Sequence, residues 1–228
     1  MIARSPTSAA ARNGAPPCDN ALDMLADHCR AVWNRLYSLG EQAPRLIGVT
    51  GSARGEGVTT VAAHLALAAA DAANRHKVLL VDANLRHPAA HTRLNGESGP
   101  GLAEILAGQA EWKEAVQKIK PSGISLLAAG TARRDTATAS DLVCCQDLFR
   151  ELQAEFDVVL IDLPAVGHVG LTLPVAGNLD GTILVVEAEV TPTEDAQRSA
   201  QLLSDAQARL LGVVLNKRRE LLPRWLRR

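Results

Sequence analysis

Cysteine is scarce and unpatterned in this 228-residue chain. Cys18, Cys29 and the vicinal Cys144 and Cys145 form no Cys-x-x-Cys, so neither a disulfide framework nor a zinc site is readable and the thiols are expected to be core or incidental. Long apolar runs are missing too. The longest, residues 61–73, is broken by His64 and Asp71, and residues 1–17 hold no apolar stretch, which argues against a signal peptide or a membrane span and for a cytoplasmic protein. Positive charge is not in excess: the formal net charge is −1, and residues 217–228 hold six basic side chains against one acidic, leaving a net acidic remainder. That balance argues against a nucleic-acid-binding body. His87 and His91 have helical spacing, but Pro88 and the lack of a third ligand speak against a metal site there.

The length suits one complete α/β core. Residues 1–19, rich in Ala, Ser, Pro, Arg and Asn without periodicity, are expected to be a disordered arm. Residues 20–40 hold an N-terminal helix, with Leu22, Leu25, Ala26, Cys29, Val32, Trp33 and Leu36 on one apolar face. Over 41–216, β-branched runs alternate with helical stretches, the pattern of a mostly parallel sheet covered on both faces. Strands are expected at 46–50, 78–82, 124–128, 158–162, 182–187 and 212–216, and helices at 59–74, 102–107, 111–118, 140–155 and 194–209. Ligands in such sheets bind at the carboxyl ends of the strands, so Asp82, Asp162 and Asn216 are expected to converge.

They should converge on a glycine-rich turn. After the first strand come Ser52, Ala53, Arg54, Gly55, Glu56, Gly57, Val58, Thr59 and Thr60, a strand, loop and helix layout that is a P-loop in all but one residue. Backbone N–H groups from Gly55 to Thr60, with a helix N-terminus behind them, suit phosphate oxygens. Val58 stands where the phosphate-binding lysine belongs. The missing charge-assisted bond is worth about 1.5–3 kcal/mol, a loss that nucleotide binding tolerates better than phosphoryl transfer does.

Together with Val78-Leu79-Leu80-Val81-Asp82-Ala83-Asn84-Leu85-Arg86 and Val158-Val159-Leu160-Ile161-Asp162-Leu163-Pro164, this loop resembles the Walker A, A′ and B motifs of the bacterial tyrosine kinases of capsule and exopolysaccharide synthesis, relatives of the partitioning and division-site ATPases. Gly-Leu-Ala-Glu-Ile-Leu-Ala-Gly (101–108), Leu-Leu-Ala-Ala-Gly (126–130) and Leu-Gly-Val-Val-Leu-Asn (211–216) extend the match. The resemblance implies a P-loop NTPase-like, Rossmann-like α/β fold, ATP or ADP with Mg²⁺ as cofactors, and Asp82 and Asp162 as catalytic carboxylates. It also implies Thr59, Asp82 and Asp162 as metal-binding residues, and Asn216 as a base-side contact.

The departures point to degeneracy. Asn84 replaces the second acidic residue of the A′ motif, and Leu171 falls where the family has another Asp. Asp27-x-x-Arg30-x-x-Trp33 stands in place of the subunit-contact Glu-x-x-Arg-x-x-Arg that would imply a homo-oligomer. The tyrosine-rich tail is gone, Tyr37 being the single tyrosine. The implied role is therefore a nucleotide-sensing or structural partner of an inner-membrane polysaccharide co-polymerase, a chain-length regulator. Two alternatives stay open: an active ATPase or tyrosine kinase using Arg54 or Arg86 as its cation, and a positioning ATPase, which Ala53 disfavours because a second lysine belongs there. The basic residues of 217–228, with Leu221, Leu222, Trp225 and Leu226, suit an anionic membrane surface or the cytoplasmic end of a membrane partner.

Overall fold

The computed structural model describes residues 18–71, 76–131, 139–167 and 172–218; residues 1–17 of the expected disordered arm, Leu171 and most of the basic tail lie outside them, and Cys18 and Asp19, expected in that arm, already belong to the first helix. A seven-stranded sheet in the order β3-β4-β2-β5-β1-β6-β7 forms the body. Its strands are β1 (Leu46–Gly51), β2 (Val78–Asp82), β3 (Val116–Lys118), β4 (Ser125–Leu127), β5 (Val158–Asp162), β6 (Gly181–Glu187) and β7 (Leu210–Asn216). All neighbours are parallel except β3 with β4. The helices are α1 (Cys18–Tyr37), α2 (Val58–Ala70), α3 (Ala90–Leu94), α4 (Leu102–Leu106), α5 (Trp112–Ala115), α6 (Ala139–Glu155), α7 (Thr172–Ala176) and α8 (Thr193–Asp205).

The central strands read as continuous apolar runs because both faces are covered. Successive side chains alternate between two cores. Leu79, Val81, Val159 and Ile161 join Trp112, Leu148, Phe149, Leu152 and Leu203 on one face. Val78, Leu80, Val158 and Leu160 join Cys29, Trp33, Val61, Leu65 and Ala66 on the other. Cys145 and Cys29 are buried in these cores, as expected of small apolar residues, and burial pushes the Cys29 thiol up to about 11.

The N-terminal helix uses the face expected of it. Leu25, Cys29, Val32, Trp33 and Leu36 pack into the second core, with α1 lying along α2. Trp33 is therefore a buried core residue, at the position where the family's subunit-contact arginine belongs.

One expected element is wrong. Residues 111–118 do not form a helix throughout: α5 stops at Ala115, and Val116–Lys118 pairs antiparallel with Ser125–Leu127. The β-branched Val116 starts this strand, and a turn centred on Pro121 and Gly123 returns the chain, with Gly123 at φ 76° and the Ile119 N–H donating to the Ile124 carbonyl at 2.9 Å. Nonlocal pairing there wins over helical spacing. The short helices α3 and α7, a turn or so each, carried no periodic signal.

Candidate functional site

The carboxyl ends of β1, β2, β5, β6 and β7 lie on one side of the sheet, and the glycine loop leaves β1 in their midst. Loop and strands are stitched together by the main chain: the Leu163 N–H donates to the Val49 carbonyl and the Val166 N–H to the Gly51 carbonyl, both at 2.8 Å. The Thr50 hydroxyl donates to the Pro164 carbonyl at 2.6 Å.

Two glycines of the loop are closely packed. Gly57, the residue before α2, has φ 90°, and a Cβ there would sit 2.3 Å from Asn216 Nδ2. A Cβ on Gly51 would meet Glu56 Oε2 at 2.6 Å and Val58 Cγ2 at 2.9 Å. Beyond Gly57 the helix begins, and its first backbone N–H groups, at Val58, Thr59 and Thr60, precede the first intrahelical bond from the Val61 N–H to the Gly57 carbonyl. They form an anion-seeking end. Val58 turns its side chain toward the apolar core that holds Val61 and Leu65, so the residue that replaces lysine contributes packing where charge would be.

Glu56 is a buried strut, 2% exposed. One carboxylate oxygen accepts the Ala53 N–H at 3.0 Å and the other accepts the Thr191 hydroxyl. Asn216 Nδ2 donates to the Glu56 carbonyl at 2.8 Å. Asn216 thus reaches the loop as expected, and Ala53 and Arg54 are exposed on its outer part. Arg86 is exposed in the turn after β2.

Asp82 and Asp162 stand directly opposite one another in register on β2 and β5, both wholly buried. They are not equivalent. Asp82 accepts the Asn84 N–H on one oxygen and the Ala89 and Ala90 N–H groups on the other, each at 3.0 Å. Burial raises its pKa while these bonds and nearby His91 oppose the rise. Asn84 continues the turn, its side-chain oxygen accepting the His87 N–H at 3.2 Å. Neither oxygen of Asp162 has a hydrogen-bond partner. Burial first, then the charge of Asp82, push its pKa up to about 8, with the nearby Thr59 side chain opposing.

A buried carboxylate with unused oxygens, a threonine hydroxyl beside it and an orphaned Ser52 hydroxyl in the same loop make a donor set that fits Mg²⁺. That ion takes one or two carboxylates and completes its shell with water and phosphate. Among the described residues no group of three or more His, Cys, Asp or Glu has the makings of a protein-only cage.

The sequence reading overlooked Lys217, Glu187 and Thr191. Lys217, grouped with the basic tail, donates from Nζ to the Gly55 carbonyl at 2.6 Å and pairs with Glu187 at 2.8 Å. A signal existed: Lys217 directly follows a residue at a strand's carboxyl end. Thr191 and Glu187 carried none, since the β6 to α8 turn folds onto the loop only in three dimensions.

The family described as cellulose biosynthesis protein BcsQ matches residues 45–219. Tyrosine-protein kinase YwqD of Bacillus subtilis is 31% identical over 169 residues, 74% of this chain and 70% of that one. The succinoglycan biosynthesis transport protein ExoP of Rhizobium meliloti is 30% identical over 76% of this chain, which spans only 22% of ExoP. Among solved structures, the VpsO kinase domain superposes with a TM-score of 0.75 at 27% identity, covering 87% of this chain and 96% of that domain. The septum site-determining protein MinD of Pyrococcus horikoshii, complexed with Mg-ADP, has a TM-score of 0.63 at 24% identity over 77% of this chain and 72% of that one, a likeness of fold. The chain belongs to the BcsQ family of cellulose biosynthesis proteins, on the P-loop fold that it shares with the bacterial tyrosine kinases of exopolysaccharide synthesis.

Proposed function

We propose that this protein binds ADP or ATP with Mg²⁺ through a catalytically degenerate P-loop and, in that form, regulates a membrane polysaccharide co-polymerase. The observation that carries the reading is the division of labour at the loop. The backbone cradle and the orphaned Asp162 carboxylate are kept, while Val58, half-buried, packs against the edge of the core. Thr59 and Asp162 would hold the metal, whose charge offsets that of the phosphates. Asp82 sets the turn that leads to α3 and stands opposite Asp162 on the neighbouring strand. The loop's N–H groups orient the phosphates, and Asn216 stands on the base side.

Binding survives this division and fast transfer does not. Phosphoryl transfer rests on positioning plus neutralisation of developing charge, and here the lysine and the second A′ carboxylate are replaced by Val58 and Asn84. The family description favours cellulose as the polymer. The polysaccharide-export name of ExoP favours a membrane-bound partner, as do the basic residues of 217–228.

Calorimetry of the full chain with ADP and ATP, with and without Mg²⁺, tests the reading. Micromolar to millimolar affinity is expected, from a good P-loop less a few kcal/mol, and Gly57→Val should abolish it. Hydrolysis above about 1 per second, the range of ordinary kinases, would overturn the degenerate reading in favour of an active enzyme.

A further inference from the structure

Lys217 directly follows β7, and although its side chain is 45% exposed, its ammonium is bound at two points to the body of the fold. Its backbone takes φ 57°, a left-handed conformation that costs a non-glycine residue and persists where surrounding contacts over-determine it. Its ammonium bridges the Gly55 carbonyl of the loop and the Glu187 carboxylate at the end of β6. One residue earlier, Asn216 Nδ2 holds the Glu56 carbonyl. The end of β7 therefore grips two consecutive loop carbonyls.

Each grip orients a donor. The Gly55–Glu56 and Glu56–Gly57 peptides are trans, and in a planar trans peptide the N–H points opposite to the carbonyl. With both carbonyls pulled toward β7, the N–H groups of Glu56 and Gly57 are turned the other way. Positive φ at Gly55 (96°) and Gly57 (90°) brings successive N–H groups to one concavity, the geometry of an anion nest.

We propose that Lys217 is a positioning residue for phosphate. It clamps the Gly55 carbonyl from outside the loop, anchored by Glu187, and so holds the cradle in shape in a chain whose loop lacks its own lysine. The proposal rests on the nucleotide-binding reading above. It assigns a role to the carbonyl side of the loop, and the probes are ADP and inorganic tripolyphosphate, which share the phosphate chemistry and differ in the base.

The test compares full-length wild type with Lys217→Met, Lys217→Arg and Glu187→Gln. Lys217→Met should weaken both probes by about ten-fold, Lys217→Arg should recover most of the loss, and Glu187→Gln should fall between. In the ligand-free proteins, amide hydrogen exchange at Glu56 to Thr60 should quicken several-fold in Lys217→Met and remain near wild type in Lys217→Arg. Unchanged exchange in Lys217→Met would overturn the clamp, even if affinity fell, because the lysine would then act on the phosphates directly as a charge. Loss of ADP affinity with tripolyphosphate affinity unchanged would also overturn it, by placing Lys217 on the base. Wild-type protein that binds neither probe would sink the nucleotide reading while the exchange comparison still decides the clamp. Should Lys217→Met fail to fold, Glu187→Gln carries the same comparison.

Discussion

Val58 and Asp162 are the two residues whose replacement says most. Val58→Lys returns a charge-assisted bond of about 1.5–3 kcal/mol and gives up part of a valine's burial, at about 0.8 kcal/mol per CH₂. The lost burial falls on folding stability and the new bond on binding, so calorimetry should show Mg-ADP binding about ten-fold tighter, with turnover still low because Asn84 is uncharged. Asp162 ionises near 4 in an unfolded chain and at about 8 in the native state. Between those values the folded protein keeps a proton that the unfolded chain has released. The stability due to the neutral carboxyl is therefore full below pH 4 and is lost as pH rises through about 8. In urea unfolding, Asp162→Asn should lose less stability than wild type between pH 5 and pH 8.5; parallel behaviour would mean that Asp162 is already ionised. A cation at this position must displace that proton, so Mg-nucleotide binding at pH 7 should release about one proton, read as a dependence of the binding heat on the buffer.

At the scale of elements, α1 is held by a stripe of five side chains, and Trp33 is the largest of them. Its ring lies 6.2 Å from Tyr37 and 6.0 Å from His76, centroid to centroid, and its Nε1 is buried without a partner. Trp33→Ala should cost about 3–5 kcal/mol in chemical denaturation. Trp33→Phe should cost much less, because it removes the orphaned N–H along with part of the ring. α1 packs along α2, so ADP affinity should change less than two-fold in Trp33→Phe. A larger change would mean that α1 positions α2 and, through it, the loop. The β3 to β4 hairpin teaches the complementary lesson. Three residues that read as the end of a helix became a strand because Ser125–Leu127 offered an edge, and no local pattern announces a partner that lies beyond a turn.

Over the whole molecule, charge is segregated, with residues 217–228 strongly basic and the remainder net acidic. None of the described helices is long and apolar enough to cross a membrane, so attraction to an anionic surface would rest on that basic segment and be screened by salt. Deleting residues 219–228 should abolish sedimentation with anionic vesicles at low salt and leave the thermal midpoint nearly unchanged, since β7 ends at Asn216 and Lys217 is retained. Equal sedimentation of both forms would make the segment a solvated terminus. By itself, the sequence determined the α/β class, most of the strands, the apolar face of α1 and the loop with Asp82, Asp162 and Asn216 near it, because short β-branched runs, helical spacing, glycine spacing and strand ends are local signals. Tertiary structure alone decided which aspartate is spent on backbone donors and which is left open, that Val58 faces the core, and that Glu187, Thr191 and Lys217 close on the loop. Those outcomes depend on which strand ends become neighbours, and β6 and β7 meet the glycine loop only after more than a hundred residues have crossed back over the sheet.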